Sequence, residues 1–235
     1  MSDVLRVGMV GYAFMGSVHA QASPNAHRFF DLPLTTELTA VAGRNPEAVS
    51  SAAERLGFAW TEFVKSRPLS GERSGLGGLG GSSADSPRAD VTVDDAALFT
   101  ARFAGGATGV LEATRFALGR KNVLRIEING TDGSLAFDFE ENNLLQFFDG
   151  TQPVEEQGFR RILVTEPEHP YVGAWWPPGH GLGYEHGFTH QVVDLVAAIA
   201  DNRQPTPSIH DGLRVQRVLG AVEDSAARDS AWTII

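Results

Sequence analysis

Two glycines, Gly11 and Gly16, directly after an apolar run, constrain this chain more than any other feature. Val4 to Gly16 reads VLRVGMVGYAFMG. Val4 to Val10 has the composition of a buried strand. Gly11-Tyr12-Ala13-Phe14-Met15-Gly16 turns the chain, and Met15 to Ala22 (MGSVHAQA) suits a helix. Strand, glycine turn and helix open a dinucleotide-binding unit. Gly11 permits the tight turn, a small residue at 13 lets backbone N–H groups approach a pyrophosphate, and Gly16 lets helix and strand pack closely. Ala13 replaces the middle glycine of the fingerprint, which weakens close approach without excluding it. The alternative is an ordinary strand–turn–helix.

The following segments continue that pattern. The first helix is expected over Met15 to about Ala26, and Leu38 to Ala42 (LTAVA) is a second strand. Asn45-Pro46-Glu47 marks a helix start, with Asn as cap, Pro at the first helical position and an acid in the first turn. Val49, Ala52, Ala53 and Leu56 form its apolar stripe, and Gly57 ends it. At the tip of strand two, an acid takes ribose hydroxyls, whereas an arginine accepts a 2′-phosphate. Arg44 stands there and leans towards NADP; the alternative is a solvated arginine at a helix start.

Ser70 to Arg88, rich in glycine and serine, reads as a flexible loop. From Val91 the pattern becomes strand-like. Ala96–Phe103 and Thr108–Arg115 flank Gly105-Gly106 as a hairpin. Leu124, Ile126 and Ile128 alternate with polar residues, as do Leu135, Phe137 and Phe139 after the turn at 130–133. Leu144–Phe148 and Arg160–Thr165 add strands. Period-two alternation implies a sheet with one apolar and one polar face. Two helices follow. Phe188, Val192, Leu195, Val196 and Ile199 form the expected core stripe of the first, over about 185–202. Ser208 and Asp211 make a capping box for the second, with Val215, Val218, Leu219 and Val222 expected to be buried. Trp232–Ile235 suits a short last strand.

Composition narrows the function. A net charge of −10 argues against nucleic acid or an anionic membrane as partner. The chain has no cysteine, which removes disulfides, thiol catalysis and Cys–zinc sites. The amino terminus lacks a basic region and its apolar run is broken by Gly8 and Gly11, so no signal peptide is expected. The expected location is the cytoplasm.

GMVGYAFMGSVHA with TELTAVAGRNPEAVSSAAERLG resembles the amino-terminal half-domain of the glucose–fructose oxidoreductase / inositol dehydrogenase (Gfo/Idh/MocA) family, and His19 also fits its pattern. ADVTVDDAALFTARFAGGATGVLEATRFA, IEINGTDGSLAFDF and PTPSIHDGLRVQRVLGAVEDSA are similar to the family's carboxy-terminal sheet domain. Within the family, WWPPGHGLGYEH is similar to the levoglucosan dehydrogenase type. The resemblance implies α/β plus α+β architecture. A half Rossmann unit, residues 1–60, would precede an open-faced, mainly antiparallel sheet domain, residues 61–235, with helices on one face. It implies hydride transfer between a sugar or polyol hydroxyl and NAD, with NADP possible, in a homo-oligomer built through the sheet.

One absence qualifies that expectation. The family's Glu-Lys-Pro segment, whose lysine serves in proton transfer, has no counterpart, and neither has its Asp-x-x-x-His segment. The only lysines are Lys65 and Lys121. The second half of the dinucleotide domain is missing, with the junction near Gly57 to Phe63, either through an internal deletion or because a longer protein carries residues that this sequence omits. Weak cofactor binding and little turnover are therefore expected, and no catalytic residue is assigned. The alternative is a non-catalytic remnant acting as an oligomerisation or binding module. Two strands with an unpaired edge would invite pairing with another chain.

The candidate site residues follow. Gly11, Tyr12, Ala13, Phe14, Met15, Gly16 and Arg44 are the cofactor set. In the loop at 175–184, aromatic faces suit sugar C–H surfaces, while His and Tyr hydrogen-bond hydroxyls. The resemblance puts this loop near the sugar, which makes Trp176, His180 and Tyr184 substrate candidates; the alternative is a loop pinned by its tryptophans. Arg120, in the turn Gly119–Asn122, is a further candidate, with pairing on the polar sheet face as its alternative. His186, His190 and Asp194 have metal-ligand spacing on a helix. They lie opposite Phe188 and Val192, so a solvated or substrate-facing surface is expected instead.

Overall fold

In the computed structural model, which describes residues 4–58, 60–63 (backbone alone) and 94–235, Gly11 turns the chain at φ 101°. In chain order the elements are β1 (Val4–Val10), α1 (Phe14–Phe29), β2 (Thr35–Gly43), α2 (Pro46–Leu56), β3 (Trp60–Phe63), β4 (Ala96–Arg102), β5 (Thr108–Thr114), β6 (Arg125–Asn129), β7 (Gly133–Asp138), β8 (Leu144–Asp149), β9 (Arg160–Leu163), α3 (Tyr184–Ala200) and α4 (Ile209–Ala226). The glycine- and serine-rich stretch 70–88 and Lys65 lie outside the described residues. The chain divides into two compact units, Met1–Gly81 with Val123–Pro205, and Ser82–Asn122 with Thr206–Ile235.

The first unit opens with a βαβαβ run whose parallel sheet has the order β1-β2-β3. The expectation of two strands is thus corrected to three: β3 forms at the presumed junction and pairs with the end of β2, from Ala40 to Gly43. The core gathers Ala20 of α1, Val41 of β2, Val49 and Ala53 of α2, and Phe58. Small residues on α1 let it pack closely on its neighbours: Ala20, Ala22, Ser23 and Ala26 are all buried, Ala20 beside Val41 of β2 and Ser23 bonded to Thr36, while the helix also lies along α3. That packing carries the helix past Pro24 to Phe29, three residues beyond the expected end. Pro24 removes one intrahelical bond without breaking the element. In α2 the Asn45 side chain accepts from the Ala48 N–H at 3.0 Å, and Gly57 takes the left-handed conformation that ends the helix.

The same unit contains an antiparallel meander, β6-β7-β8-β9. Its register pairs Ile126 with Phe137, Ile128 with Leu135, and Leu135 with Phe147. These residues share one apolar face, and that face is open: Ile126 is 53% and Ile128 56% exposed. The opposite face carries ions, with Arg125 beside Asp138 across the register at 3.3 Å. Helix α3 packs along α1. Its expected stripe is corrected: Phe188 and Val196 are buried, but Leu195 and Ile199 are exposed, while His186 and Thr189 are buried instead. The helix is turned towards the aromatic segment that precedes it.

The second unit holds the β4–β5 hairpin and α4. Ser208 and Asp211 form the expected capping box. The expected burial on α4 is not seen: Val215 and Leu219 are exposed, and Val218 and Val222 are half-buried. A periodic stripe marks the side of a helix that suits a partner, but burial also requires a facing layer. Trp232–Ile235 forms no strand; Arg102 instead lies over the Trp232 ring at 4.7 Å.

Candidate functional site

The glycine turn joins β1 to α1 with almost no room to spare. The Gly11 N–H donates to the Ala42 carbonyl at 2.8 Å, fastening the turn to the end of β2. A side chain at Gly16 would collide with the Gly11 carbonyl, so this approach requires glycine. A side chain at Gly43 would likewise strike the Tyr12 ring. Beyond the turn, Ala13 caps α1 with no side-chain acceptor, and no acid stands in the first turn. The helix therefore presents backbone N–H groups and its positive dipole end without a resident anion. Phe14 and Met15 are exposed beside it, and Arg44 is exposed past the tip of β2. Nothing lies within 4 Å of a side chain built at Gly11. A pyrophosphate fits these donors and this open space.

The second part of the site is a strap over residues 175–183, between a 3-10 turn at Val172–Ala174 and α3. Trp175 is buried, and its ring meets Phe29 of α1 at 4.1 Å. Its indole N–H donates to Nε2 of His190 at 2.9 Å. His190 stacks on Tyr171 at 4.2 Å, and the Tyr171 hydroxyl donates to the Asp194 carboxylate at 2.9 Å. Burial, with the nearby His186 adding to it, pushes the His190 pKa down to about 4 against the opposing pull of Asp194. His190 is thus a neutral acceptor. His186 accepts the Gly183 N–H through Nδ1 at 2.9 Å and meets Trp175 edge-on at 4.3 Å.

This corrects the expected solvated or substrate-facing surface for His186, His190 and Asp194: the two histidines seat the strap, and Asp194 holds Tyr171, which stacks on His190. Among the described residues every buried side-chain polar atom has a partner, and no group of three or more His, Cys, Asp or Glu has the arrangement to hold a metal ion.

The predicted residues divide accordingly. Tyr184, at the start of α3, stacks on Phe14 of the glycine turn with ring centroids 6.3 Å apart. Cofactor and substrate candidates thus meet directly. Trp176 is 41% exposed, with its edge against Phe29. His180 is exposed, and its Nδ1 lies 3.0 Å from the Pro177 carbonyl. Arg120 belongs to the other unit, in an exposed turn closed by its own N–H to Ala117.

Trp175 meets the alternative of a loop pinned by its tryptophans, but sequence reasoning missed the histidine seat of that anchor, Phe29 as its platform and Asn143 as a second fastening point. The paired tryptophans and the i, i+4 histidines were visible signals for the first. For Asn143 there was none, because its partner Leu182 is 39 residues away.

The chain is similar to known oxidoreductases. The GFO/IDH/MocA C-terminal domain model matches residues 38–136. A levoglucosan dehydrogenase of Pseudarthrobacter phenanthrenivorans is 38% identical over 170 residues, covering 72% of this chain and 43% of that protein. The chain thus spans less than half the length of this curated relative. Among solved structures, an oxidoreductase domain protein from Kribbella flavida is 36% identical with a TM-score of 0.84, covering 97% of this chain and 98% of that one. A levoglucosan dehydrogenase in complex with NADH and L-sorbose shares the fold, with a TM-score of 0.83 at 24% identity over 98% of both chains.

Proposed function

Because the chain belongs to the GFO/IDH/MocA family of oxidoreductases, we propose that it carries a dinucleotide cradle and a sugar- or polyol-facing strap for hydride transfer. The observation that carries this is the Phe14–Tyr184 stack, which brings the glycine turn to the start of α3, where the strap ends, within one unit. The amino-terminal part, residues 1–60, supplies the cradle: Gly11 to Gly16 and the start of α1 hold the pyrophosphate. Tyr12 and Arg44 flank the adenosine end. NAD is the favoured cofactor, since a relative with this fold is described as a complex with NADH. Bound there, the cofactor would supply a hydride acceptor. The remainder, residues 61–235, presents Trp176 for the apolar face of a sugar ring, with His180 and Tyr184 for its hydroxyls.

Turnover is proposed to be slow. The family's Glu-Lys-Pro and Asp-x-x-x-His segments are absent from the sequence, and no residue here is assigned as the acid–base group. Binding and chemistry are therefore tested separately. Titration with NADH should quench protein fluorescence and enhance nicotinamide emission, and levoglucosan should then perturb the bound state. No response to NADH at any concentration would sink the proposal. It would favour the second reading, a non-catalytic module that associates through its open sheet.

A further inference from the structure

We infer that Asn143 is a positioning residue for His180: it clamps the strap so that the imidazole is held as its Nδ1–H tautomer, leaving Nε2 to accept a hydroxyl of the polyol ligand. This rests on the sugar-facing role proposed for the strap.

The tautomer follows from the partners. His180 Nδ1 lies 3.0 Å from the Pro177 carbonyl and 3.3 Å from that of Pro178. Carbonyl oxygens only accept, so Nδ1 carries the hydrogen. In the neutral ring the lone pair is then at Nε2. A sugar hydroxyl is a donor, and an exposed acceptor on a fixed ring discriminates for it.

The clamp follows from both ends of the strap. At its carboxy-terminal end the Asn143 amide bonds both backbone groups of Leu182. The Leu182 N–H donates to Oδ1 at 2.7 Å, and Nδ2 donates to the Leu182 carbonyl at 2.8 Å. Gly181 lies flat on this amide, where an added side chain would sit 2.9 Å from Nδ2. Asn143 is itself fixed, because its carbonyl accepts the Val164 N–H at 2.8 Å and Leu144 beside it is buried. The amino-terminal end is held by Trp175 on His190. Between the two anchors the Gly179 N–H reaches the Thr165 carbonyl at 3.3 Å, and Gly179 at φ 87° reverses the chain just before His180. The proline carbonyls can face Nδ1 only while this reversal is kept.

The test uses the full chain, labelled with nitrogen-15, without ligand and at mildly alkaline pH. Long-range proton–nitrogen spectra identify the tautomer of each histidine, and loss of one pattern in His180→Gln assigns it. The expected result is the Nδ1–H pattern at His180, averaging towards that of free imidazole in Asn143→Ala. Should that variant not fold, Asn143→Ser keeps one hydrogen bond to Leu182 and should give an intermediate pattern. In the presence of NADH, levoglucosan binding should weaken about tenfold in Asn143→Ala and in His180→Phe, which corresponds to about 1.4 kcal/mol. An Nε2–H pattern in the unmodified chain, or an unchanged pattern in Asn143→Ala, would overturn the inference. If the tautomer behaves as stated but neither levoglucosan nor L-sorbose binds, the sugar reading fails and takes the acceptor role with it, while the clamp stands.

Discussion

At the scale of single residues, the chain's chemistry depends on groups kept in one state by their neighbours. His190 receives the Trp175 indole hydrogen only while it is neutral. Its pKa of about 4 lies below the ordinary 6.5, so between these values the unfolded chain binds more protons than the folded one. Stability is therefore fully present above about pH 6.5 and is lost as pH falls towards 4. Urea unfolding at pH 7 and pH 5 should show the lower pH to be less stable, and His190→Gln should flatten the difference. Gly16 is constrained by a backbone atom instead. Gly16→Ala puts a methyl group against the Gly11 carbonyl. It should cost about 1–3 kcal/mol, as overpacking does, and weaken NADH binding more than tenfold by fluorescence titration. The glycine was legible in the sequence because steric need leaves a residue type behind. The histidines were equally visible, yet their seat was misread: helical spacing tells which side chains share a face, not which segment covers it.

At the scale of elements, local rules held where the deciding partners are near in sequence. Asn45, Pro46 and Gly57 start and stop α2 within its own turns, and those ends were legible to the residue. Asn45→Ala should lower stability by about 1 kcal/mol, read as a shift in urea midpoint, while Asn45→Asp should leave it almost unchanged because the acceptor is retained. The rule failed where tertiary packing decides. Helix α1 continues through Pro24 because its small buried residues pack it between β2 and α3. Strand β3 was not foreseen because the sequence around Trp60–Phe63 carries no alternation of its own, and it forms by pairing with the end of β2. The stripe of α4 was periodic, yet Val215 and Leu219 stay exposed. The capping pair Ser208–Asp211, a local feature, is present as expected. The strap lies between these cases: its aromatic content was legible, but its two fastenings, 15 and 39 residues along the chain, were not.

At the scale of the whole molecule, one surface carries a consequence for assembly. The β6–β9 meander pairs its apolar side chains in register, and Ile126, Ile128 and Leu135 nevertheless face solvent. Contiguous exposed apolar residues of this kind suit association. A second copy of the chain is the occupant proposed, because two identical faces of this type match each other under two-fold symmetry. Charge then sets how association responds to salt. With a net charge of −10, two copies repel at long range, whereas an interface held by apolar burial has little attraction for salt to screen. Raising the ionic strength should therefore strengthen the dimer, the reverse of an assembly held by ion pairs. Light scattering at micromolar concentration should report a dimer whose dissociation constant falls with added salt. Ile128→Asp adds one negative charge to each face at a position already 56% exposed, so the fold should survive with an unchanged circular dichroism spectrum. The dimer should weaken at least tenfold. A monomer at every salt concentration would remove this surface as the interface, and a dimer indifferent to Ile128→Asp would place the contact elsewhere, for which the edge of β1, paired on one side among the described residues, is the next site to test.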